Sequence, residues 1–255
     1  MKQLGLLLLT IGMLMAGAPA EAAPISVDTT GSRVTGFLQK VQQAYKNASY
    51  LSVNLLYRYA NKNQPDKNVE TMSGELAMDR NRVRLVMDEV ESITTEKYTI
   101  QVIKADKLIY LSTPKPAQST DPISMVDTIL SHMEGVRTEL VRNNGLARLN
   151  IYFPSGMQYR SIAMTINEST GYFEKVRYEL NTEGLLTEDQ IARTGKPGDY
   201  QPEGIIEVLF SNYRQGQFTD SIFDEGIYFT RRGKGDYQPT EQYKDYQVYL
   251  ASSNL

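Results

Sequence analysis

The stretch from Gly74 to Thr113 constrains the fold more than any other part of this chain. The runs SGELAMDRNRVRLVM and YTIQVIKADKLIYLSTP alternate apolar and polar residues through short segments joined by small turns. That pattern predicts antiparallel strands with one apolar face. Gly74 inside the first strand predicts a bulge or bend, of use where a sheet must curve. A twisted sheet with few helices to cover it either fills its own core or holds a hydrophobic ligand. The strand pattern alone leaves both outcomes open, because apolar faces are commonly filled by the protein itself.

The surrounding chain extends the sheet on both sides. Val34, Phe37, Leu38, Val41, Ala44, Tyr45 and Ala48 fall at helical spacing, with Ser32 as a candidate N-cap. Strands are predicted over 51–59, 69–78, 82–88, 98–103 and 108–112. Asp121-Pro122 then opens a second helix, with Ile123, Val126, Ile129, Leu130 and Met133 on one stripe and Gly135 as its stop. Strands over 136–142 and 146–153 flank Asn144-Gly145, a strong hairpin signal. Further strands are predicted over 159–166, 172–180, 205–213, 227–231 and 243–250. About eleven strands, mostly in consecutive hairpins, with two helices make an α+β protein built on an antiparallel sheet.

The first 22 residues are predicted to be an address. Met1-Lys2 supplies a positive start and Leu4 to Met15 an apolar run, followed by cleavage sites after Ala20 or Ala22. The run is short of the roughly 20 apolar residues of a membrane helix, so it is read as a cleavable secretory signal peptide. Residues 23–255 form a single domain in this reading, exported and soluble in the periplasm. No cysteine follows the apolar run or occurs anywhere else. Thiol catalysis, zinc–cysteine sites and redox function are thereby excluded. The 27 basic and 30 acidic residues are well mixed, which argues against nucleic acid as a partner.

Catalytic patterns are missing. His132 is the single histidine, and no G-x-S-x-G elbow accompanies it. Gly233-Lys234-Gly235 lacks the rest of a phosphate-binding loop, and no calcium-loop spacing occurs. Acid pairs such as Asp88 and Glu89 carry no sign of facing each other across a cleft. The chain is therefore read as a non-enzyme without cofactor or metal. Gly198-Asp-Tyr-Gln-Pro202 recurs as Gly235-Asp-Tyr-Gln-Pro239. Two turn-rich loops account for it, or a paired tyrosine rim at Tyr200 and Tyr237 that meets an envelope protein partner.

Several strings in order resemble the LolA/LolB family of periplasmic lipoprotein carriers. They are VTGFLQKVQQAYKNASYLSVNLLYRY, SGELAMDRNRVRLVM, IQVIKADKLIYLSTP, IAMTINESTGYFEKVRYEL and IEVLFSNYRQGQFTDSIFDEGIYFT. The resemblance implies a strongly curved antiparallel sheet forming an incomplete, half-open barrel. An N-terminal helix and a second helix would cover its concave face. It further implies an apolar cavity for lipid acyl chains or acylated lipoproteins. The cavity-facing candidates are Leu76, Met78, Val83, Leu85, Met87, Ile100, Val102, Leu108 and Tyr110, with Met125, Ile129 and Met133 on a lid. Arg80 falls where the family has an arginine whose hydrogen bonds hold the lid closed, although Asn81 replaces the usual proline. A solvated arginine ladder of Arg80, Arg82 and Arg84 is the alternative. The connection from Thr182 to Glu203 and the tyrosine-rich tail from Gly233 mark a divergent relative, or a scaffold that binds a protein through those loops.

Overall fold

A computed structural model describes residues 27–28, 31–114, 134–183, 199–216, 220–252 and 255. The expected signal peptide and the expected second helix, with Met125, Ile129, His132 and Met133, lie outside the described residues. The chain divides into two compact units. Unit 1 holds Met1–Asn47, Leu55–Met72 and Ser119–Ser211; unit 2 holds Ala48–Asn54, Ser73–Gln118 and Asn212–Leu255.

Unit 1 opens with β1 (Val27–Asp28) and α1 (Gly31–Asn47). Its sheet contains parts of β2 (Tyr50–Asn61) and β3 (Asn68–Asp79), then β8 (Arg137–Asn143), β9 (Leu146–Tyr152), β10 (Tyr159–Asn167), β11 (Phe173–Asn181) and part of β12 (Glu203–Gln215). The hydrogen-bonded order is β1-β8-β9-β10-β11-β12-β2-β3. Asn144 and Gly145 both take positive φ, 49° and 78°, as a two-residue turn of type I′ requires. α1 starts at Gly31, so Ser32 lies within the helix and not at its N-cap.

Residues directly opposite in antiparallel strands share a face. Leu140, Leu149, Met164 and Val176 form one such row, and Ile151, Ile162, Tyr178 and Ile206 the next. All eight are buried. The apolar stripe of α1 is buried too, at Val34, Phe37, Leu38 and Val41. Its C-terminal end meets the sheet through Tyr45. That hydroxyl accepts a hydrogen bond from the Phe173 amide at 3.1 Å, and the two rings lie 5.6 Å apart. Gly171, at φ 76°, faces the Ala44 methyl so closely that a Cβ there would collide with it.

Unit 2 is built from β3 onward, with β4 (Arg82–Met87), β5 (Val90–Thr94), β6 (Thr99–Ile103) and β7 (Leu108–Ser112). The C-terminal segment adds 3-10 turns at Asp220–Phe223, Glu225–Ile227 and Glu241–Tyr243. It also carries the hairpin β13 (Phe229–Gly233) and β14 (Asp236–Pro239), and β15 (Gln247–Leu250). The order from β2 is β2-β3-β4-β5-β6-β7-β15. All pairs from β3 to β7 are antiparallel, whereas β15 runs parallel to β7. The predicted strand over 243–250 is shorter than expected because Glu241–Tyr243 turns first.

The sequence reading missed β5. Val-Glu-Ser-Ile-Thr hides its inward side because one of the two buried positions is Glu91, a carboxylate. β14 was also missed, and its tyrosine settles the repeated pentapeptide. Tyr237 is buried in a core cluster and half-buried Tyr200 donates to Glu70 at 3.0 Å, which removes the alternative of a paired tyrosine rim.

Unit 1 buries several tyrosines. Tyr57, Tyr59 and Tyr178 are at most 4 % exposed, and the ring of Tyr59 lies 5.4 Å from that of Tyr200. Burial pushes the hydroxyls of Tyr57 and Tyr178 well above their usual 10, and that of Tyr59 up to about 12. Between pH 10 and 12 the unfolded chain therefore holds fewer protons than the folded one at these sites. Their stabilisation is complete below pH 10 and is lost as pH rises through the folded values. Urea unfolding midpoints should fall steadily above about pH 10. A tyrosinate absorbance titration should show a class of rings that ionises only as circular dichroism is lost. A titration in which all tyrosines ionise near 10 with the fold intact would contradict this.

Candidate functional site

The register of unit 2 sorts its strand residues into two faces. On one, Ala77, Ile93, Ile100, Val102, Ile109 and Leu111 are buried. They pack with Phe223, Tyr228, Phe229, Tyr237, Tyr243 and Leu255 of the C-terminal segment. The rings of Tyr98, Phe229 and Tyr237 meet edge to face at 5.2–6.1 Å. This face is filled by the protein's own side chains.

A polar latch holds that cover. Three donors converge on Oε1 of Glu91: Nε and Nη2 of Arg84 and the hydroxyl of Tyr228, each at 2.7 Å. Burial and the adjacent carboxylate raise the Tyr228 hydroxyl, so it stays a proton donor throughout the neutral range. Arg82 lies 4.7 Å over the Phe223 ring and pairs with Asp79. The alternative of a solvated arginine ladder does not hold for Arg82 and Arg84, which are engaged beneath the tail segment. Arg80 stands apart: it is exposed at the β3–β4 turn with φ 52°, and its amide donates to Ser49 O at 3.2 Å.

The opposite face carries most of the candidate residues. Leu76 faces Leu85, and Met78 faces Val83. Met87, Val90, Ile103 and Leu108 form a continuous apolar row across four strands. Met87 begins it beside Gly74, where a Cβ would collide with the Met87 sulfur and the Val86 carbonyl. Tyr110 lies opposite Gln101 and stacks on Tyr249 at 5.6 Å. Leu85 and Met87 are buried, and Leu76, Met78, Val83, Val90, Ile103, Leu108 and Tyr110 are half-buried. Ser92, Thr94, Thr99, Gln101 and Ser112 share this face, so the apolar part bends around a polar patch.

Two candidates are therefore misplaced. Ile100 and Val102 lie on the sealed face, because Ile100 pairs with Leu111 and Val102 with Ile109. The four residues from Lys104 to Lys107 link β6 to β7, and across them Leu108 falls opposite Ile103. Val90 and Ile103 take their places. Val90 was lost with β5, and Ile103 was overlooked because Ile100 and Val102 supplied the more regular alternation. Met125, Ile129 and Met133 lie outside the described residues. Among the described residues, no group of three or more His, Cys, Asp or Glu is placed to hold a metal ion, and no helix is long and apolar enough to cross a membrane.

No protein-family model matches the chain, and no curated protein matches it. Among solved structures it is similar to an uncharacterized conserved protein from Thermus thermophilus. The identity is 10 %, covering 86 % of this chain and 99 % of that one, with a TM-score of 0.47. It is also similar to a LolA superfamily protein from Nitrosomonas europaea, at 11 % identity, 75 % and 97 % coverage and a TM-score of 0.34. The Mycobacterium tuberculosis lipoprotein LppX is similar at 13 % identity, 74 % and 99 % coverage and a TM-score of 0.38.

The latch makes a direct prediction. Glu91→Ala strands the Arg84 guanidinium and the Tyr228 hydroxyl, and should cost about 2–4 kcal/mol in urea unfolding, less than a fully dry pair because Arg84 is partly solvated. Limited proteolysis should then cut the chain near 220–240 before other sites. Unchanged stability and cleavage would show that the aromatic packing alone holds the segment.

Proposed function

We propose that the protein is an exported, non-catalytic carrier that shelters lipid acyl chains against the second apolar face of the unit 2 sheet. The observation that carries this reading is that the sheet is apolar on both sides. An antiparallel sheet with one solvated face ordinarily alternates apolar and polar residues. Here the filled face already supplies much of the core, and the other carries half-buried Leu76, Met78, Val83, Val90, Ile103, Leu108 and Tyr110 beside buried Leu85 and Met87. A contiguous apolar surface beyond the needs of the core is the mark of a binding face.

The physics suits a carrier. Each methylene moved from water onto such a surface gains about 0.8 kcal/mol. Unbranched Met78 and Met87 adapt to chains of different shape. Release then needs only an acceptor that offers the chain a better apolar environment. The sequence resemblance to the LolA/LolB carriers supports the same ligand class and a periplasmic location. A scaffold that binds a protein partner through the 182–203 connection and the tail is the alternative reading, and burial of Tyr237 removes only the paired tyrosine rim from it.

Protein purified without detergent should release acyl-bearing species on lipid extraction and show them by native mass spectrometry. Substituting both Leu76→Gln and Met78→Gln should weaken binding of a fluorescent fatty-acid probe about tenfold or more. Ile100→Val, on the sealed face, should lower stability by about 0.5–1.5 kcal/mol and leave probe binding unchanged. Absence of any acyl species together with no probe binding would overturn the proposal, as would equal loss of binding in Ile100→Val.

A further inference from the structure

Unit 1 holds a second feature that the acyl reading does not use. On the sheet face carrying Glu139 and Arg177, the middle strand β10 presents two short side chains, Ser161 and Ala163. Tyr152 and Asn150 of β9 stand opposite them on one side, and Glu179 and Arg177 of β11 on the other. Short residues between tall ones leave a trough. Arg148 closes one end, and Arg160, at the register shift between Tyr159 and Ser161, closes the other. The resulting cavity measures about 390 Å³.

Its lining is cationic, with three arginines against one glutamate. Arg177 is the informative member. Its Nη2 lies 3.2 Å from Glu179 and its Nη1 3.8 Å from Glu207, yet its Nε is buried with no hydrogen-bond partner. That Nε has essentially no accessible surface, so a ligand in the trough would meet the guanidinium at its Nη edge, which keeps donor capacity beyond its two carboxylate partners. Arg160 is only loosely held, 3.8 Å from Glu203. Arg148 is braced by Asn150, its Nε donating to Oδ1 at 2.9 Å, while Asn150 donates to Glu139 at 3.1 Å. Glu139 and Glu203 thus hold Arg148 (through Asn150) and Arg160 from outside the lining, and Glu179 is the one acid within it.

We infer that this trough binds a phosphate group, held by Arg148, Arg160 and Arg177 above the floor of Ser161 and Ala163. Guanidiniums arriving from three directions suit a tetrahedral, acceptor-only oxyanion better than a flat carboxylate, which one arginine fork satisfies. The exposed Tyr152 ring and the Ser161 hydroxyl leave room for a polar substituent on the phosphate. The site stands on unit 1 alone and is independent of the acyl reading.

Isothermal titration of the whole protein with inorganic phosphate and with glycerol 3-phosphate tests it. Sedimentation with phosphatidylcholine vesicles, with and without phosphatidic acid, distinguishes a soluble from a membrane-borne phosphate. Saturable binding of at least one phosphate is expected. It should weaken about tenfold or more in Arg148→Ala, which removes a charge-assisted bond. Ser161→Leu, which fills the trough and leaves every arginine in place, should weaken it similarly. Citrate should bind more weakly than either soluble phosphate. The inference is overturned if no phosphate binds saturably, if citrate binds better, or if folded Ser161→Leu and Arg148→Ala proteins bind as tightly as the parent.

Discussion

The constraint on which unit 2 depends is the need to bury two apolar faces of one short-stranded sheet. The C-terminal segment meets that need on one side with a set of aromatic rings and Leu255. Hydrophobic area supplies the bulk of that attraction, but it is non-directional. Direction comes from Glu91, whose Oε1 accepts from Arg84 of the sheet and Tyr228 of the segment at once. A carboxylate buried in this way is tolerable only because all three donors reach it. Further bonds repeat the alignment: the Thr95 hydroxyl donates to Glu225, and the Thr113 amide to Ser252 Oγ at 3.1 Å.

With one face sealed, the chemistry left to the other follows. Its apolar residues are mostly half-buried, apart from buried Leu85 and Met87, and they are interrupted by Ser92, Gln101, Thr94 and Thr99. Such a surface favours a ligand with a long apolar part and tolerates a polar one. Unit 1 solves its own packing differently, with the stripe of α1 buried and the sheet's reverse side given over to arginines and acids. There the polar groups are mostly paired across strands, as between Lys175 and Glu207 at 3.4 Å. The trough at Ser161 and Ala163 interrupts that pairing.

Much of this was legible in the chain. The helix of Val34, Phe37, Leu38 and Val41, the hairpin at Asn144-Gly145, and the strands around them follow from local periodicity and turn chemistry. Gly74 was read as a bulge or bend, whereas against β4 it pairs in regular register with Met87, whose close approach its missing side chain admits. What failed was legible only in part. β5 hid behind Glu91, because a buried charge on the inner side of a strand erases the alternation that announces it. Tyr237 looked like a loop residue because Gly235, Asp236 and Pro239 are turn formers. The core around it supplies the burial that local composition cannot express.

The sequence by itself determined the antiparallel character of the sheet, the position of α1 and most turn sites, since these rest on contacts between near neighbours. It also determined which residues would be apolar on each strand. Only the tertiary structure decided which apolar face each residue joined. Alternation has a period of two, so the offset across the Lys104–Lys107 connection sets which side of the sheet Ile103 and Leu108 share. Ile100 and Val102 went to the core for that reason, and the segment that covers them arrives from the far end of the chain.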